Sequence, residues 1–172
     1  MTQIAFSALV AGVALERLLE LKISRRNAAW ARSQGGVESG SGHFPFMALL
    51  HAGLLFGAVA EVWFFARPFL PVLGWSMLTL VGACQALRYW CIISLGRRWN
   101  TRVIVVPGLP RVTEVGPYRW LRHPNYVAVV IEGVALPMVH TAWLTAAVFT
   151  VLNAALLRVR LCVEEAALGA AR

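Results

Sequence analysis

The sequence predicts an all-α integral-membrane bundle of about five transmembrane helices. Three observations lead there. Of the 172 residues 59% are hydrophobic and 14% charged, against the roughly 25% charged of a soluble domain. Mean hydropathy is +0.66, and so short a chain cannot bury that much apolar surface in its own core. The apolar residues also fall into runs near the ~20 residues that cross the hydrocarbon layer, and basic residues mark every second connection between them. No G-x-G-x-x-G follows a strand pattern, so no Rossmann core is expected.

The elements read in order as follows. Thr2 to about Leu21 is the first span, its second half made amphipathic by Glu16, Arg17 and Glu20. Phe44 to Ala66 is the second. Leu70 to Leu95 is the third, long enough to tilt or protrude. Tyr126 to about Val139 and Trp143 to about Leu157 form a tight hairpin of short members, which cross by tilting or by thinning the bilayer. The whole, 1–172, reads as one domain. Residues 1–95 hold three spans and a connector, and 96–172 hold the hairpin and the motifs that carry chemistry.

Charge sets the orientation. Lys22, Arg25, Arg26 and Arg32 follow the first span, and Arg97, Arg98, Arg102, Arg111, Arg119 and Arg122 follow the third. Arg158 and Arg160 follow the fifth. The second and fourth connections carry only Arg67 and His140. By the positive-inside rule the N-terminus is outside and the C-terminus cytoplasmic. The rule also accounts for the net charge of +8, so no nucleic-acid partner is expected. Lys22 is the only lysine and there is no Asp, a bias that suits a bacterial genome and places the chain in a bacterial inner membrane. The first run lacks a basic leader and an A-x-A site and reads as a retained span.

Cys84 and Cys91 share an apolar helical face but lie ~10 Å apart along it, so they read as buried free thiols. His43 and His51 form no H-E-x-x-H, and no Cys/His cluster has metal spacing, so no metal is expected. There is no G-x-S-x-G elbow. Two polar connectors remain. Lys22–His43 contains GGVESGSG, Gly35 to Gly42, and reads as flexible. Gly96–Asn125 contains a β-branched run, Val103–Val106, stopped by Pro107-Gly108, and reads as a short extended piece lying over a site.

The segment VGPYRWLRHPNY, Val115 to Tyr126, is the most informative. Gly-Pro makes a turn, and His123 precedes a proline that suits the first turn of a helix. Asn125 and Tyr126 then open the fourth span with unpaired backbone N–H groups, a place that attracts an anion. Arg160 and Glu164, at i, i+4, share a helix face beyond the hairpin, and Glu165 follows. The plainer reading is an interfacial belt of Tyr, Trp, Arg and His with a solvated ion pair. Arg88, ~10 Å inside the third span, is a functional candidate by depth, with snorkelling as the alternative. Glu132 is positioned to pair with Arg88, Glu61 to reach the outer surface, and His51 to be satisfied in the bundle.

The pattern Gly116, Tyr118, Arg122, His123, Pro124, Tyr126, followed after a hairpin by Arg160, Glu164 and Glu165, resembles the isoprenylcysteine carboxyl methyltransferase family. The resemblance covers mainly Arg88 to Leu168. It implies S-adenosyl-L-methionine as cofactor, held by Arg111, Val112, Tyr118, His123, Pro124, Asn125, Tyr126 and Glu164. Tyr118 and Tyr126 would face the sulfonium as cation–π partners. Arg160 would hold the acceptor, and Arg88 would align with a family arginine linked to activity. Glu165, together with Tyr126, completes the implied catalytic set, and the sequence leaves open which of Glu164 and Glu165 has which role. The segment Gly35 to His51 resembles a bacterial branch that methylates alkylpyrones or alkylresorcinols. The expected reaction is therefore methyl transfer to an oxygen of a lipophilic acceptor, a carboxylate, phenol or enol, at the cytoplasmic membrane face. Esterification of a prenylated cysteine carboxylate and amine methylation of a phospholipid are the alternatives. A lipid-binding scaffold is the reading without catalysis. The expected partners are that acceptor and membrane lipids, with the oligomeric state open.

Overall fold

A computed structural model describes residues 1–109 and 115–170. It contains five α-helices. Helix α1 spans Gln3–Ser33, α2 Phe44–Phe64, α3 Pro71–Leu95, α4 Pro124–Met138 and α5 Trp143–Ala170. Strands β1 (Val37–Ser39) and β2 (Val103–Val105) pair antiparallel, with Glu38 opposite Ile104. Short 3₁₀ turns lie at Ser41–His43, Gly96–Arg98 and Gly116–Arg119.

Helix starts follow local chemistry. Thr2 caps α1 by accepting the Ala5 N–H at 3.1 Å, and proline occupies the first turn of α2, α3 and α4, where its missing N–H costs nothing. Among the described residues three segments are long and apolar enough to cross a membrane: Ser41–Phe64, Pro71–Arg98 and Trp143–Ala167. Helix α4 has 15 residues and, at 1.5 Å each, falls short of a ~30 Å core. Helix α1 is long, but Glu16, Arg17 and Glu20 interrupt its apolar run.

The core is built from Phe6, Val10, Val13, Ala58, Val62, Val81, Ala135, Leu136, Val139 and Ala142. Small residues let helices approach, as they do where lipid supplies no hydrophobic drive. A Cβ on Gly133 would lie 2.1 Å from the Phe149 ring, so glycine is what allows α4 and α5 to touch there. Large side chains instead face outward, among them Phe56, Phe64 and Val72, each more than four-fifths exposed. In water such a surface would aggregate; against acyl chains it is the stable choice.

Three expectations change. The connector after the first span is not flexible throughout: α1 continues to Ser33, and Val37–Ser39 is a strand. The all-α bundle therefore carries one small two-stranded ribbon. The last span does not stop near Leu157, because α5 runs to Ala170. Glu61 does not reach the outer surface. It is buried and accepts the N–H groups of Leu144 and Thr145 at 3.2 and 2.7 Å and the Thr145 hydroxyl at 2.8 Å. An anion there satisfies the orphan donors of the α5 N-terminus and opposes its dipole, while Arg67 balances the charge at 2.9 Å.

Candidate active site

The chemistry-bearing residues gather at one end of the bundle. A cleft there is walled by the end of α3, β2, the 116–119 turn, the start of α4 and the far half of α5. Its lining includes Arg98, Asn100, Arg102, Tyr118, Arg122, His123, Asn125, Tyr126, Arg160 and Glu164.

Each wall has a local cause. Gly116 has φ +54°, and a Cβ on it would lie 2.0 Å from Ser94 Oγ. Only glycine lets this turn press on α3 and aim Tyr118 into the cleft. Burial pushes the Tyr118 phenol well above its ordinary range, helped by the neighbouring Cys91 thiol, so Tyr118 stays a neutral phenol. The far half of α1 braces the loop after α3. Asn27 donates to the carbonyls of Gly96 and Trp99 at 3.1 and 2.7 Å, and the Ser24 hydroxyl donates to Asn100 Oδ1 at 2.8 Å. The ribbon roofs one side, latched by Glu38, which receives Arg32 at 2.7 Å and Arg102 at 2.6 Å. Those two hydrogen bonds hold the Glu38 carboxyl below the usual carboxylate range.

A polar chain crosses the cleft floor. Arg160 Nε donates to the Tyr126 phenol oxygen at 2.7 Å, and the phenol donates to Glu164 Oε2. His123 Nδ1 lies 3.7 Å from Glu164 Oε1, and its ring stacks on Tyr126 with centroids 5.2 Å apart. Arg160 is 6% exposed; its guanidinium also stands 5.2 Å over the Tyr126 ring, and Nη1 meets the Met47 thioether at 3.4 Å. Among the described residues this buried guanidinium has no carboxylate partner. A buried cation left so under-matched is costly unless something else supplies the anion or acceptor. Beside it, between α2 and α5, opens an apolar groove of about 700 Å³ that reaches Leu156, one turn from Arg160.

The structure thus brings Tyr118, His123, Asn125, Tyr126, Arg160 and Glu164 together, with Pro124 buried behind them. Glu165 is exposed and lines none of these walls. Arg111 and Val112 lie outside the described residues. Arg88 is deeper in the bundle and does not line the cleft. It donates to Glu132 at 2.7 Å and lies 3.4 Å from Glu20, while Arg17 bridges Glu20 and Glu132. The expected Arg88–Glu132 pair exists, within a cluster of two arginines and two glutamates.

Two details of the expected site change. The Tyr126 N–H is not unpaired, because it donates to the His123 carbonyl at 3.0 Å. The Tyr126 ring already stacks on His123, which leaves Tyr118 as the freer aromatic face. Ser24, Asn27, Met47 and Asn100 are supports that motif reading missed. The spacing Glu20, Ser24, Asn27, Ala28, Ala31, all buried, is one helix face and was the available signal.

A helical membrane bundle with a basic, aromatic cleft at one end defines the class as an integral-membrane enzyme scaffold. Residues 77–170 match the sequence model of the isoprenylcysteine carboxyl methyltransferase family. The chain is also 35% identical over 164 residues to a Bacillus subtilis (strain 168) protein, "Uncharacterized protein YpbQ", covering 95% of this chain and 96% of that one. No solved structure matches it. The chain belongs to the isoprenylcysteine carboxyl methyltransferase family and is an integral-membrane methyltransferase. Methyltransferases of this family generally use S-adenosylmethionine.

Proposed function

We propose that the chain moves a methyl group from S-adenosylmethionine to an oxygen of a lipophilic acceptor, at the cytoplasmic face of a bacterial inner membrane. The observation that carries this reading is Arg160, a buried guanidinium without a carboxylate, set between a polar cleft and an apolar groove.

The cleft fits the cofactor's chemistry. Arg98, Arg102 and Arg122 line it and suit a carboxylate. The Tyr118 face and the Glu164 carboxylate suit a sulfonium. Asn125 Oδ1 is buried and without a hydrogen-bond partner among the described residues, so it offers an acceptor to an amine or hydroxyl. When bound, the sulfonium supplies an already activated methyl group. The protein's part is then position and electrostatics.

Arg160 orients the acceptor oxygen, while Tyr126 fixes Arg160 by accepting from Nε. The acceptor's apolar part lies in the α2–α5 groove, reached sideways from the bilayer. A carboxylate acceptor needs no base. For a phenol or enol, Glu164 is the carboxylate in the cleft, whereas Glu165 faces out. Esterification of a prenylated cysteine carboxylate would use the same geometry.

The first test is calorimetric binding of S-adenosylmethionine and S-adenosylhomocysteine to detergent-purified protein, beside Tyr126→Ala. Micromolar binding that the variant loses supports the reading. No binding at millimolar cofactor by folded protein leaves the lipid-binding scaffold in its place.

A further inference from the structure

A second groove lies between α4 and α5, about 210 Å³ in volume and almost wholly apolar. On α5 its wall is one helical face, running from Thr150 through Asn153 and Leu157 to Leu161. Asn153 is the anomaly. It is 4% exposed and opens on this groove, yet its amide has no hydrogen-bond partner among the described residues. A buried amide in an apolar wall is costly unless a partner arrives, and membrane interiors supply no water to stand in. It cannot snorkel, because the side chain is too short to reach the headgroups.

A second polar group stands at the groove's edge. Arg158 is exposed, lines the same groove and has no carboxylate, ring or hydrogen-bond partner among the described residues. Five residues separate it from Asn153, about 7.5 Å along the axis. Arg160, two residues on, points away toward Tyr126 and Met47, so this groove is separate from the polar cleft and shares only Phe149 with the α2–α5 groove.

We infer that the α4–α5 groove holds an anionic glycerophospholipid, its phosphate on Arg158, an ester carbonyl on the Asn153 amide and an acyl chain along the apolar wall. The charge on Arg158 requires an anion, and Asn153 requires a neutral acceptor roughly one glycerol unit deeper. A fatty acid carries both features in one carboxylate and would leave one of the two side chains unmet. A neutral lipid would leave Arg158 unmet. The inference does not depend on the methyl-transfer reading, since none of these residues touches the cleft.

The test uses delipidated, detergent-purified full chain and native mass spectrometry. Three probes are added in turn: dioleoylphosphatidylglycerol, its dialkyl ether analogue without ester carbonyls, and dioleoylglycerol without phosphate. Wild type is expected to retain the diester phospholipid best. Asn153→Leu should lower retention of the diester about fivefold, the worth of one hydrogen bond, and leave the ether analogue unchanged. Arg158→Gln should erase the preference over dioleoylglycerol. Equal retention of diester and ether by wild type, or unchanged diester retention by Asn153→Leu, overturns the inference. If Asn153→Leu does not fold, Ala154→Phe decides, because it fills the groove from its exposed edge. Lost diester retention in that variant supports the site, and full retention overturns it.

Discussion

Arg160 Nε donates to the phenol oxygen of Tyr126 at 2.7 Å, across 34 positions of sequence. The bond joins the two motif segments into one polar chain that ends on Glu164. Removing a preorganised donor of this kind typically costs about 10²-fold in turnover. Arg160→Ala should lose about that much, and Tyr126→Phe about tenfold, the worth of one hydrogen bond to a charged group. The double variant should be no worse than Arg160→Ala, because both changes break one unit. Labelled-methyl incorporation into a lipid extract, with melting curves for each protein, checks this; additive losses would refute a shared role.

The cluster of Arg17, Glu20, Arg88 and Glu132 sits inside the bundle, and Glu132 receives both arginines and Gln85. Glu132→Ala leaves two arginines to share Glu20 alone inside the bundle and should cost roughly 3 kcal/mol. Chemical unfolding in detergent measures it. Arg88→Met should also destabilise, yet leave cofactor affinity unchanged in the protein that folds, since Arg88 does not line the cleft.

Glu61 caps α5 at the end opposite the cleft. Glu61→Ala should lower stability by about 1–2 kcal/mol and leave turnover intact at permissive temperature. Thermal unfolding read alongside activity separates the two effects.

The ribbon latch should respond to acid. Glu38 has a folded-state pKa below its unfolded value of 4.5. Its stabilising contribution is therefore full above pH 4.5 and is lost as pH falls through the lower, folded value. Protection of the β1 and β2 amides, taken against the intrinsic exchange rate at each pH, should fall in that acid range. In Glu38→Gln the acid dependence should vanish and exchange should be faster at neutral pH.

The apolar runs made α2, α3 and the hairpin legible, because lipid exposure writes hydrophobicity around the whole helix. Gly-Pro and His-Pro breaks marked the turn and the start of α4, and the motif spacing anticipated that residues 118–126 and 160–164 would meet. Glu61 was misplaced because a carboxylate near a helix end looks solvated until the next helix presents its N–H groups. Strand β1 was hidden because three residues between glycines carry no period, and only pairing with β2 defines them. The far half of α1 was missed because its basic residues suggest a loop, whereas they line the outer face of a helix whose inner face is small and polar. The separation of Glu164 from Glu165 is a matter of helical phase, a rotation of 100° per residue that decides which carboxylate faces Tyr126.

The β1–β2 ladder joins strands separated in sequence by all of α2 and α3. During synthesis β1 emerges with no partner and must wait while two hydrophobic helices are delivered to the bilayer. The cleft's roof, and with it the Arg102 latch, can close only after that. The α5 wall arrives later still. A ribosome-bound intermediate halted before β2 would carry three of the helices and no cleft at all, so methyl-donor binding reports on completed insertion as much as on folding.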